Sequence, residues 1–280
     1  FNGKNELILG RRLFIDAKLS EVGQDDAHDM ACEFLNNHPN IAVCKKDPEL
    51  HSILTDKYQP RVRKLQQQVI AHADSILRHV RIPDEQGPSQ LAPLVAQSFH
   101  YLMNKKGHAV EFAIHNSGGV RNSLNSGDVS VADIAGKLLP FAVPIGVYEV
   151  RGETIAGMLE GAINNALDNG VVGTGSGSFP YTHNLRFCYH KEAPLGHRIH
   201  NLEIHSEDAG WQSVSRERVY RGASSAYTMK GKEGYNAVLD MIGDGTVTTD
   251  SMADCFIAFL QDHPESLQHN EPLNCMDCFK

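Results

Sequence analysis

No run of apolar residues in this sequence approaches the ~20 that a helix needs to cross a bilayer, so no membrane span is expected. A signal peptide is missing as well: the chain opens at Phe1 rather than Met, and the expectation is a processed or truncated product whose targeting information is gone. There is no excess of positive charge. A formal net charge of −8 over 280 residues leaves no broad basic field, which argues against a nucleic-acid polymer as partner while permitting a local cationic pocket for a small anion. Cysteine is scarce, and six are too few for a disulfide scaffold at this length. Cys32, Cys188 and Cys255 sit among apolar neighbours and read as buried thiols. Cys275-Met276-Asp277-Cys278 lies in a polar tail after Pro272 with no thioredoxin-like strand and helix before it, so redox catalysis is not expected. A short-loop disulfide in an exported protein and a metal knuckle with His269 both fit its spacing. Internal repeats and low-complexity tracts are absent too. Gly170 to Gly177 is glycine-rich but lacks the spacing of a P-loop or a dinucleotide fingerprint.

What is present is ordinary globular composition, 41% hydrophobic and 21% charged, in a chain long enough for one large or two modest domains. Glu6 to Ile15 reads as a strand, Asp25 to Leu35 as a helix and Ile41 to Cys44 as a short strand. Pro48 opens a helical pattern through Leu50, Ile53, Leu54, Tyr58, Val62, Leu65 and Val69, with Pro60 expected to kink it. Leu91, Leu94, Val95, Ser98, Phe99, Leu102 and Met103 share a second helical face, with Pro93 tolerated in its first turn. A short helix ends at Leu138 to Pro140, and Ile155 to Leu167 give another amphipathic helix. Strands are expected at Ala109 to Ile114, Ile145 to Val150, Leu185 to Tyr189, Ile199 to Ile204 and Val219 to Ala226. The last helix starts at Ser251, where Ser251-x-x-Asp254 resembles a capping box, and should bury Cys255, Phe256, Phe259 and Leu260; a poorly ordered tail is expected beyond Pro264. Helices and strands alternate irregularly, with consecutive strands late in the chain. The expected class is therefore α+β, a mixed β-sheet flanked by helices rather than a doubly wound parallel sheet.

The stretch around which the rest is organised is Phe112-Ala113-Ile114-His115-Asn116-Ser117-Gly118-Gly119-Val120-Arg121. A short apolar strand stops, and a glycine pair and a cation stand at its end. Gly118 and Gly119 allow positive φ and leave no Cβ to hold a ligand off the backbone. Asn116 offers a two-sided amide and Arg121 a rigid fork of donors suited to phosphate or carboxylate. By itself the pattern is equally that of a strand-to-helix turn with an exposed arginine.

The order Asn-x-Gly-Gly-x-Arg, then Gly127-Asp128-Val129, then Leu139-Pro140-Phe141 resembles the C-terminal domain of the 5′-nucleotidase family, which includes periplasmic UDP-sugar hydrolases and surface ecto-5′-nucleotidases. Ser176-Gly177-Ser178-Phe179-Pro180 before the Leu185-Arg186-Phe187 strand, and Tyr227-Thr228-Met229-Lys230-Gly231-Lys232-Glu233-Gly234-Tyr235, extend the resemblance. It implies a remnant of an N-terminal metallophosphatase domain over 1–46, an interdomain linker helix over 47–70, the C-terminal domain over 71–262 and a tail over 263–280. The helix over 47–70 also fits a simple packing role. Composition does not show a nucleotidase; the resemblance implies one.

The resemblance further implies a substrate pocket. Phe141 and Tyr227 match the family's two base-stacking aromatics, Glu233 matches its ribose-binding Asp, Arg121 and one of Arg78 or Arg81 match its arginines with Arg81 favoured, and Asn116, Gly118, Gly119 and Gly177 complete the set. Read on its own, Phe141 also fits a core position. Val143, Tyr227, Glu233 and Lys232 depart from the family's usual residues, which leaves base preference and the ribose contacts open. Lys232 fits either a phosphate contact or a solvated loop. No cofactor is expected in this chain. The family's Asp-x-His, Gly-Asn-His and Gly-His-x-His metal signatures are absent in that order, Asp26-Ala27-His28 reads as coincidence and His197 and His200 as solvated, so a divalent pair, Zn or Mn, is expected in a missing N-terminal domain. The implied partners are a nucleotide or nucleoside and that metallophosphatase domain, and the implied location is periplasmic or extracellular. Competing readings are a nucleotide-binding module without catalysis and a hydrolase of cyclic nucleotides, nucleotide sugars or sulfur compounds.

Overall fold

A computed structural model describes residues 33, 34, 37–39, 47–168 and 175–268. The strands expected at Glu6 to Ile15 and Ile41 to Cys44, most of the helix expected at Asp25 to Leu35, Cys32 and the Cys275/Cys278 pair lie outside them. The chain divides into two units, 1–59 and 60–280. In the first, Asp47 caps α1 (Pro48–Ile53), its carboxylate accepting from the Glu49 and Leu50 amides at 2.9 and 3.0 Å. A π-helical turn, Leu54–Tyr58, follows, in which the Gln59 amide reaches back to the Leu54 carbonyl. This widened turn accommodates Pro60, which has no N–H to give an α-helix and whose ring would crowd the preceding turn. The next segment, α2 (Gln59–Gln66), stops before Val69, which the helical pattern had included. Val69 instead opens β1 (Val69–Ala73), where Ala71 and Ala73 are buried on alternate positions, a period of two that belongs to a strand.

In the second unit the elements continue as α3 (Ala92–Lys105), β2 (Phe112–Asn116), β3 (Gly127–Ser130), β4 (Pro144–Arg151), α4 (Gly152–Asp168), β5 (Pro180–His183), β6 (Leu185–Tyr189), β7 (Ile199–Ser206), β8 (Gly210–Ser213), β9 (Val219–Ser225), α5 (Ala226–Met229), β10 (Ile242–Ser251) and α6 (Met252–Asp262). Five strands form the central sheet in the order β10-β4-β9-β2-β5, with only β2 and β9 parallel among its pairs. A β1–β3 ribbon and a β6-β7-β8 sheet complete the strands. The fold is thus α+β with mixed sheets flanked by helices, as expected. Every residue of β2 is buried, because α3 packs on β2, β5 and β9 while α4 packs on β4 and β5. Pro93 sits in the first turn of α3, and the Ser251–Asp254 capping box starts α6, which buries Cys255, Phe256, Phe259 and Leu260.

Several expectations are corrected. Ala109 is not in a strand; it holds φ +51, and β2 begins three residues later at Phe112. Cys188 is half-buried and disulfide-bonded, so it is not a buried thiol, whereas Cys255 is a free, buried one whose pKa burial pushes up. The chain does not lose order at Pro264: Pro264–Leu267 make a 3₁₀ turn that buries Leu267.

Candidate functional site

The register of the central sheet brings five strand ends to one edge. Because β2 and β9 run parallel, the chain leaves both on the same side, β2 into the turn Ser117–Gly119 and β9 into α5, which carries Tyr227. β5 begins there, with Pro180 opposite Asn116. β4 begins there too, Ile145 opposite Ser225, so that Phe141 and Val143 lie just ahead of it. β10 ends there, Ser251 opposite Pro144, and hands over to Met252 at the start of α6. A pocket of about 350 Å³ lies at this edge, and Arg81, Asn116, Gly118, Gly119, Arg121, Phe141, Gly177, Tyr227 and Glu233, all nine residues singled out from the sequence, line it. Val143 lines it as well, and so do Ser225 and Met252, which sequence reasoning missed. Their signal was indirect: Ser225 is the cap of the short helix bearing Tyr227, and Met252 follows the capping serine of α6.

The floor is glycine because two backbones touch. A Cβ on Gly118 would stand 3.0 Å from Gly177 Cα, and one on Gly177 would stand 3.2 Å from Gly118 Cα. Neither Gly118 nor Gly119 has positive φ, so close approach and not turn geometry explains them. The two turns are tied together: the Ser117 amide donates to the Phe179 carbonyl at 2.9 Å, and Ser117 Oγ to the Ser176 carbonyl at 3.1 Å. Tyr235 Oη donates to the Ser178 carbonyl at 2.9 Å and so anchors the loop that carries Glu233.

Glu233 is held at φ +56 between Gly231 and Gly234. Its Oε2 accepts from Asn116 Nδ2 at 2.9 Å, although the two residues are 117 positions apart. Burial raises the Glu233 pKa, while the Asn116 hydrogen bond and the Arg81 charge pull it down. Burial and the charge of Glu233 raise that of Tyr227. Phe141 and Tyr227 are the pocket's aromatics and keep 46% and 44% of their surfaces exposed, so Phe141 does not take the core position that its sequence also fitted. Arg121 donates from Nη1 to the Gly118 carbonyl at 3.0 Å and lies over the Phe141 ring, 5.3 Å from its centroid. Arg81 donates from Nη1 to Ser176 Oγ at 3.2 Å. Arg78 is engaged elsewhere, in an ion pair with Asp84 and a 3.3 Å hydrogen bond to the Gly87 carbonyl, and it is Arg81 that lines the pocket. Lys232 is exposed and lies outside the lining.

Behind the glycine floor sits His115, fully buried on β2, edge-on to Phe99 and with neither ring nitrogen hydrogen-bonded. Burial, then the neighbouring His79, lowers its pKa to about 3. His79 is lowered to about 4 by burial first and then by Arg81, with Arg121 adding to the effect. The positive charge of the pocket is therefore confined to its two arginines at neutral pH. Among the described residues no group of three or more His, Cys, Asp or Glu is placed to hold a metal ion, so the donor set here does not fit a metal pair. Nor is any described helix long and apolar enough to cross a membrane.

A family model described as 5′-nucleotidase, C-terminal domain, matches residues 69–240. The NAD 5′-nucleotidase of Haemophilus influenzae is 26% identical over 259 residues, 89% of this chain and 42% of that protein. The trifunctional nucleotide phosphoesterase YfkN of Bacillus subtilis is 23% identical over 248 residues, 83% of this chain and 16% of its own length. A crystal structure of a 5′-nucleotidase precursor from Thermus thermophilus superposes with a TM-score of 0.64 at 24% identity, over 78% of this chain and 41% of that one, a likeness of fold. The chain spans less than half the length of the curated relatives it matches.

Proposed function

The chain belongs to the 5′-nucleotidase C-terminal domain family, and from that premise we propose that it is the substrate-binding part of a 5′-nucleotidase-type phosphohydrolase, with the pocket at the sheet edge taking a nucleotide. The observation that carries this reading is the convergence in a single pocket of two half-exposed aromatic rings, one carboxylate and two arginines that form no ion pair among the described residues. A base is a flat π-face, and Phe141 and Tyr227 offer two rings between which it stacks. Glu233, oriented by Asn116, accepts from ribose hydroxyls, and the Arg81 and Arg121 guanidiniums take the phosphate through charge-assisted hydrogen bonds. In this reading residues 1–46 are what remains of a preceding metallophosphatase domain, 47–70 link the two, and hydrolysis belongs to the part of the longer relatives that this chain does not match. The function in a cell is then nucleotide breakdown.

Isothermal titration of the protein with a nucleoside 5′-monophosphate tests the proposal, paired with phosphate-release assays in added Mn²⁺ or Zn²⁺. Saturable one-to-one binding without turnover is expected. Absence of binding removes the nucleotide reading, and robust turnover by this chain removes the division of labour.

A further inference from the structure

The Arg121 guanidinium has two attractive destinations in one pocket. Its Cζ lies 5.3 Å from the centroid of the Phe141 ring while Nη1 donates to the Gly118 carbonyl at 3.0 Å, so the planar cation is docked on the ring and pinned from one side. Phe141 also has to present a face if a base is to stack on it, and both side chains line the same pocket as Tyr227. A guanidinium and a base cannot share one ring face.

We propose that Arg121 is a specificity-determining residue that competes with the nucleobase for the pocket-side face of Phe141 and yields it when a 5′-phosphate draws the guanidinium away. This rests on, and deepens, the nucleotide reading given above. The energetic order favours such a device. A cation over an exposed ring is held weakly, whereas a guanidinium paired with phosphate oxygens gains two aligned, charge-assisted hydrogen bonds. A nucleoside monophosphate supplies the anion that relocates Arg121 and the base that replaces it on Phe141. A nucleoside supplies only the base and must displace the cation unaided. The site therefore discriminates for the phosphate twice, by attraction and by exclusion, and loss of the phosphate on hydrolysis lets Arg121 return to Phe141 and speed departure of the nucleoside.

The test is calorimetry of AMP and adenosine on the full chain, wild type and Arg121→Ala, with melting curves to confirm that the variant is folded. AMP affinity is expected to fall by about 10-fold or more as a charge-assisted contact is lost, while adenosine affinity rises by about 2-fold to 5-fold as the ring face is freed. The wild-type protein gives an independent readout that needs no variant: saturating inorganic phosphate should tighten adenosine binding by drawing Arg121 off the ring, and this coupling should vanish in Arg121→Ala. Adenosine binding that is unchanged or weaker in the variant, or indifferent to phosphate in the wild type, overturns the competition. Failure of the wild type to bind AMP overturns the nucleotide reading itself, and the competition falls with it.

Discussion

Glu233 answers two opposed demands. A carboxylate that is to accept from ribose hydroxyls has to be ionised, yet burial raises its pKa and only Asn116 and Arg81 pull it back. Affinity for nucleoside monophosphates should therefore weaken as pH falls, with an onset above the ordinary range for a glutamate, and Glu233→Gln should abolish that limb of the pH profile. Glu233→Gln should also lower affinity at neutral pH, and that loss should vanish for ligands that lack ribose hydroxyls. Titrations at several pH values check both statements, and an unchanged acid limb in Glu233→Gln would assign the effect to another group. At Tyr227 the ring face and not the hydroxyl is expected to matter. Tyr227→Phe should be nearly neutral, whereas Tyr227→Ala and Phe141→Ala should each cost about 5-fold to 150-fold in affinity, the range that follows from roughly 1 to 3 kcal/mol per stacked base.

Elements hold these side chains in place through glycine contacts as much as through packing of larger residues. A Cβ on Gly161 of α4 would collide with the Gly234 carbonyl oxygen, so α4 presses directly on the loop that carries Glu233. Gly161→Ala should overpack this contact and destabilise the fold by about 1 to 3 kcal/mol, and it should weaken nucleotide binding although Gly161 does not line the pocket. Gly136, in the π-helical segment Asp133–Leu138, has nothing within 4 Å of a Cβ and no positive φ, so Gly136→Ala serves as a neutral comparison. The sequence makes some of this scaffold legible. Ser251 and Asp254 mark the start of α6, Pro93 marks the first turn of α3, and the apolar run before Asn116 marks β2, because caps, proline and buried strands leave local chemical signatures. β5 and β10 left none. Pro180 opens β5, and β10 is an exposed edge of Gly, Asp and Thr with two register irregularities, so neither shows an apolar alternation. The site's residue types were readable from the motif order. The resemblance implied a common pocket and favoured Arg81, but the strand order that brings the residues together, with β2 parallel to β9, and the Arg78–Asp84 ion pair leave no local signal in the sequence.

At the scale of the whole molecule, the sheet and its neighbours enclose several histidines as neutral groups, and that sets how the protein should respond to acid. His115 and His183 are lowered to about 3 and His79 to about 4, each first of all by burial, and burial lowers His100 as well. An unfolded chain protonates its histidines near their ordinary value of about 6.5. Between that pH and the depressed values the unfolded state binds more protons than the folded one, so stability rises with pH there and is lost on acidification. Each group contributes a slope of up to about 1.4 kcal/mol per pH unit once its unfolded form is fully protonated. The lowered carboxylate of Asp133, at about 2, acts only further down, below the ordinary aspartate range, and so does not account for loss in the upper part of the window. The expected result is a melting temperature that falls steadily from pH 6.5 towards pH 4, and a shallower fall in His115→Leu, which replaces an imidazole lacking hydrogen bonds by an apolar side chain in the same buried position. Thermal melts of both proteins across that range decide it. A melting temperature flat from pH 6.5 to 4.5, or equal slopes in the two proteins, would mean that these imidazoles find protons or partners in the folded state and that the interior behind the pocket is wetter than its burial indicates.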